Sequence, residues 1–158
     1  MNTAITFAPR LGRLLPAVAL ALILVPGSGA HAVQTSSGAD TVVVVVSADS
    51  EVRAIPRLHL ADLYLGRTTR FPNGEPAEPI DQGATSAARA DFYQRYLGRS
   101  LVEIKAHWSR LIFTGRGRPP MDVPGGEDVR RLVADNPRAI GYVERRLVDR
   151  SIRVLRVE

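Results

Sequence analysis

The sequence predicts a three-layer α/β domain, and three observations carry the prediction. Five valines run together without a polar interruption, several stretches repeat apolar residues at helical spacing, and strand-like segments return near the C-terminus. That mixed order of strands and helices is the pattern of a sheet with helices packed against it.

The elements follow in order. "TVVVVVS" (Thr41–Ser47) is a strand, because β-branched residues favour one. Its lack of polar alternation suits burial on both faces, as in a parallel sheet. "ADS" after it is a turn. Between Pro56 and Leu65, Leu60, Leu63 and Tyr64 share a helical face, and Gly66 is the C-terminal stop. "RFPNGEP" (Arg70–Pro76) is turn chemistry, since Asn-Gly accepts positive φ, and Ala77–Asp81 is a short extended segment. Ser86–Leu97 is a second helix with Phe92, Tyr93, Tyr96 and Leu97 on one stripe, ended by Gly98. Ser100 opens a third, and Glu103 completes a capping box in which each side chain satisfies an orphan backbone N–H. Its buried face is Leu101, Ile104, Trp108, Leu111 and Ile112. Gly126–Asn136 is a fourth helix through Val129, Leu132 and Val133, with Glu127 and Asp128 at its positive end and Pro137 as its stop. Ala139–Val143 and Ser151–Val157 are strands, the last with period-two alternation.

Ahead of this domain, residues 1–32 carry Arg10 and Arg13, the apolar run Leu14–Val25, the breakers Pro26, Gly27 and Gly29, and the small-x-small ending Ala30–Ala32. That order is a cleavable secretory signal; a spanning helix needs ~20 apolar residues. The expected layout is signal peptide 1–32, flexible mature start 33–40 and one domain over 41–158. Removing Arg10 and Arg13 from 21 bases leaves 19 against 16 acids, a charge of +3. Its arginines are interleaved with acids rather than gathered on one face, which does not suit nucleic acid. With no cysteine, thiolate zinc sites, thiol catalysis and disulfides are excluded.

Two segments carry a resemblance. "LADLYLGRTTRFPNG" (Leu60–Gly74) and "DVRRLVADNPRAIGYVE" (Asp128–Glu144) resemble segments of the phosphate-binding proteins that feed ABC transporters. Over residues 42–157 the chain looks like a short, single-lobe relative of these type II periplasmic binding proteins. The resemblance implies a periplasmic lobe that binds phosphate or a related oxyanion, with no metal or organic cofactor. Full-length members have two lobes that close on the ligand, and material for only one is present here.

The family grips phosphate with an arginine followed by a Ser-Gly-Thr turn at a helix N-terminus, where free N–H groups and the helix dipole favour an anion. The matching stretch is "DQGATSAARADF" (Asp81–Phe92). Ser86 matches the serine, while Ala87 and Ala88 replace glycine and threonine, and Gln82 replaces the arginine. Thr85 and Ser86 either hold an oxyanion with the following N–H groups, Arg89 adding charge, or simply cap the helix. In the loop after the third helix, Thr114, Gly115 and Gly117 with Arg116 or Arg118 either line a ligand with N–H groups and a guanidinium or form a plain connector. Ser47, beyond the first strand, is either a third anion contact or a turn serine.

Catalysis has no support. His59 and His107 have no partners at metal-ligand spacing, and no nucleophile elbow or phosphate-loop signature is present. The expectation is a periplasmic solute-binding-like protein for an ABC transporter or sensing system. The alternative is a ligand-free module that docks on a membrane sensor or transporter, without stable membrane insertion after signal cleavage.

Overall fold

A computed structural model describes residues 41–158; the expected signal segment 1–32 and the expected flexible start 33–40 lie outside the described residues. Its main sheet has the order β4 (Met121–Val123), β3 (Glu78–Gln82), β5 (Ala139–Glu144), β1 (Val42–Ser47), β6 (Ile152–Val154). A second sheet pairs β2 (Ala54–Ile55) in parallel with β7 (Arg156–Val157).

All six residues of β1 are buried, and the reason lies in the layers. Alternate side chains of a strand point to opposite faces. Val42, Val44 and Val46 join a core with residues of α1 (Arg57–Tyr64), α2 (Ala87–Phe92) and α3 (Leu101–Phe113), while Val43 and Val45 pack with Val129 and Val133 of α4 (Gly126–Asp135). Helices therefore cover both faces, as the three-layer expectation requires. The parallel-sheet expectation for this strand fails, because β1 runs antiparallel to both β5 and β6. Cover on both faces, and not strand direction, keeps the run apolar.

Three other expectations are corrected. Ser151–Val157 is two strands, because the Leu155 N–H bonds Val44 O at 2.8 Å and the chain then crosses to β2. Ile112 is 56% exposed and Leu132 38%, so neither belongs to the core. Both sit at the edge of their helical stripes, where the curved helix surface leaves the contact plane. The second helix changes pitch at Tyr93, running as a π-helix over Tyr93–Leu97 before Gly98 ends it at φ 65°. The capping box is formed, with Glu103 Oε2 2.8 Å from Ser100 N and Ser100 Oγ 3.3 Å from Glu103 N.

Gly141, in the centre of β5, gives α4 its close approach. A Cβ there would lie 2.4 Å from Val129 Cγ1 and 3.1 Å from Val133 Cγ2. Gly141→Ala is expected to cost about 1–3 kcal/mol by overpacking. A urea midpoint equal to that of the parent protein, with unchanged slope, would contradict this packing.

Candidate functional site

Strand β3 ends on a buried polar pair, Asp81 and Gln82, exposed 2% and 1%. Asp81 is enclosed by four donors. Tyr93 OH donates to Oδ2 at 2.7 Å, Arg89 Nη2 lies 3.0 Å from the same oxygen, and Tyr142 OH and the Gln82 N–H donate to Oδ1. A buried carboxylate is tolerated only with such partners. Burial first, then the Asp81 charge, raise the pKa values of Tyr93 and Tyr142 far above the ordinary phenol value, so both remain O–H donors. Tyr64 is raised by the same two causes, and its hydroxyl donates to Ile80 O at 3.0 Å. Phe92 stacks on Tyr142 with centroids 4.0 Å apart, which fixes the ring that reaches Asp81.

The expected anion contacts meet this network. The Ser86 hydroxyl donates to Gln82 Oε1 at 2.7 Å and accepts from Arg89 N at 3.4 Å, as the N-cap of α2. Gln82 Nε2 donates to Tyr142 O at 2.8 Å. Gln82 thus ties the serine to β5 with neutral hydrogen bonds, in the place where the resemblance would put an arginine. Thr85 is exposed beside it. Arg89 is the only one of the eight expected residues that lines the cleft described below.

Ser47 is not near this end of the molecule. Strand β1 is antiparallel to β5, and β5 is parallel to β3, so Ser47 lies at the opposite end of the sheet from Ser86. It is 1% exposed, accepts from Asp49 N at 3.3 Å and lies 3.4 Å from Ala134 O, a turn serine in geometry. The loop residues close α3. Thr114 N, Gly115 N and Arg116 N bond the carbonyls of Arg110, Ile112 and Leu111 at 3.1, 3.0 and 2.9 Å, with Gly115 at φ 66°. Their N–H groups serve as the helix C-cap. Gly117 packs near Trp108, and Arg116 is exposed. The start of α4 is covered as well, since a Cβ on Gly126 would lie 2.7 Å from Glu144 Oε2.

Beside the Asp81–Arg89 pair a cleft of about 470 Å³ opens between the start of α2, one side of α3 and the Pro119–Asp122 segment. Its polar lining includes Arg89, Lys105, Trp108 and Ser109; Leu101, Ile104, Ile112 and two prolines supply apolar wall. Arg89 Nε and Trp108 Nε1 are buried and have no hydrogen-bond partner among the described residues. Two such donors on one cleft are unusual, since each forfeits ~1–3 kcal/mol. His59 and His107 play no part here: His59 Nε2 is 2.7 Å from Arg70 O and His107 Nε2 is 3.0 Å from Leu65 O.

With this geometry in place, solved structures share the architecture. The fold is periplasmic-binding-protein-like. A phosphate ABC transporter substrate-binding protein from Clostridium perfringens, solved with bound phosphate, is 21% identical with a TM-score of 0.57, over 75% of this chain and 45% of that one. An ABC-type phosphate transport receptor from Vibrio cholerae gives 18% and 0.60, over 75% and 46%. PstS from Borrelia burgdorferi gives 14% and 0.56, over 75% and 47%. The chain thus spans under half the length of each. No family model and no curated protein matches the sequence. No helix among the described residues is long and apolar enough to cross a membrane.

Sequence reasoning missed Lys105, Trp108 and Ser109 as cleft lining and Asp81, Tyr93 and Tyr142 as a network. The helical stripe of α3 was visible, and its polar flank at 105 and 109 was the available signal. Asp81→Asn leaves Arg89 without its buried counter-charge and is expected to lose about 3–5 kcal/mol of stability; a loss below 1 kcal/mol in urea would show the pair to be solvated. The tyrosines give a pH signature. Folded Tyr64, Tyr93 and Tyr142 all ionise above the ordinary value of 10.0, so the folded chain keeps protons that the unfolded chain releases. Their contribution is intact below about pH 10 and falls above it, by up to ~4 kcal/mol per pH unit while all three stay protonated. Urea midpoints that stay level to pH 11 would refute it.

Proposed function

We propose that this chain is the ligand-holding lobe of an exported solute-binding protein, which takes a small oxyanion, phosphate or a relative, reversibly at the Arg89–Lys105 cleft and performs no chemistry. The signal-like residues 1–32 support a periplasmic location, and the phosphate-binding fold neighbours support the ligand class. One observation carries the reading. Arg89 Nε and Trp108 Nε1 both lack an acceptor and both residues line the same cleft; an oxyanion supplies acceptors, and one donor is a guanidinium. The site differs from the family pattern in two ways: Gln82 replaces an arginine, and Ser86 is bonded within the protein. In a cleft open on one side the ligand stays half in water, which weakens each charged contact.

A second reading has its own observation. From Ile104 to Met121 there are four bases and no acid, and Ile112, Phe113 and Met121 on that stretch are 56%, 93% and 65% exposed. A basic surface with exposed apolar side chains suits a module that docks on a membrane sensor or transporter.

Calorimetry on residues 33–158 with inorganic phosphate separates the two. The first reading expects saturable heat with a dissociation constant of roughly 10 µM to 1 mM, weakened several-fold by Lys105→Ala. Folded protein giving no heat with millimolar phosphate, and none with a millimolar carboxylate such as acetate or hexanoate, would leave the docking reading.

A further inference from the structure

Resting on the solute-binding reading, we infer that the cleft's preferred ligand is a monocarboxylate with an apolar body, and that inorganic phosphate is the poorer ligand. Three features of the cleft point there. The first is shape. Its lining on α3 runs from Leu101 to Ile112, eleven residues apart, or ~16 Å at the rise of an α-helix. A tetrahedral ion of a few ångströms leaves most of that wall uncovered. The second is the wall itself. Leu101, Ile104, Ile112, Pro119 and Pro120 line the cleft, and Ile112 is left 56% exposed. An alkyl or aryl group laid along this wall removes apolar surface of both partners from water.

The third feature is charge. Arg89 and Lys105 on the cleft are balanced by Asp81 and Asp122, and Arg89 is already within 3.0 Å of Asp81. The lining residues carry no surplus positive charge to stabilise the second negative charge that phosphate acquires near neutral pH. Two residues of the cleft lining, Arg89 and Trp108, carry a buried donor with no acceptor among the described residues, and a carboxylate oxygen accepts from N–H.

The chain's single tryptophan is Trp108, so its own fluorescence reports on the cleft. Residues 33–158 are titrated with acetate, butyrate, hexanoate, hexanamide and inorganic phosphate, following Trp108 emission and heat. Affinity is expected to rise about fourfold for each methylene from acetate to hexanoate, with hexanamide and phosphate weaker than hexanoate. Ile112→Ser, at a position 56% exposed, lowers hexanoate affinity several-fold and acetate affinity by less; an equal loss for both ligands would overturn the inference. If phosphate binds while hexanoate binds no better than acetate, the apolar-body inference fails and the solute-binding reading stands. Hexanamide equal to hexanoate also overturns the inference, since the carboxylate then contributes nothing. If no oxyanion changes heat or emission, both fall.

Discussion

A carboxylate with almost no access to water has to be met by donors on every side, and Asp81 draws its donors from α2, from the π turn and from β5. Arg89, Tyr93 and Tyr142 are brought to it from positions 8, 12 and 61 residues along the chain. Each donor then has a fixed place. Tyr142 is stacked by Phe92, Arg89 lies over the ring of Tyr93 at 5.8 Å, and Gln82 is tied to the backbone of β5. An ionised group of this kind gives little net stability relative to an apolar substitute, yet its removal from one side alone is costly. It therefore acts as an orienting constraint on the end of the sheet where the cleft opens.

The same constraint explains why this end does not copy the arrangement that the resemblance implies. A helix N-terminus attracts negative charge, and here the protein's own groups surround both helix starts. Ser86 caps α2 while sharing its proton with Gln82, and Glu144 lies against the start of α4. What remains open is the flank between α2 and α3. There the polar lining comes from Arg89, Lys105, Trp108 and Ser109 together with Asp81 and Asp122, a different set from a ring of backbone N–H groups.

Much of the architecture was legible because local chemistry dictated it. The valine run, the Ser100–Glu103 box, the stop at Gly98 and the helix through Val129 and Val133 each have a nearest-neighbour cause. What escaped depends on distant partners. The antiparallel direction of β1 leaves no mark in its own composition, since helices on both faces produce the same apolar run. The two-residue β2 and the three-residue β4 are too short to show a period. Ser86 could be placed at a helix start from sequence, but its bond to Gln82 could not, because it depends on where β5 holds that glutamine. Ser47 shows the strongest effect of topology: one antiparallel pairing moves it to the far end of the sheet.

The pitch change after Phe92 has a mechanical meaning of its own. A regular α-helix advances about 100° per residue, so a widened turn slips everything downstream relative to everything upstream. Tyr93, where the widened segment begins, meets the Asp81 carboxylate; three residues further along the same segment, the Tyr96 hydroxyl reaches Val42 O at 3.3 Å. Shortening this segment by one residue would rewind it and swing one tyrosine off its target. The bulged coil works as a vernier between two phenols, and through Val42 it ties the angular setting of the cleft's first wall to β1.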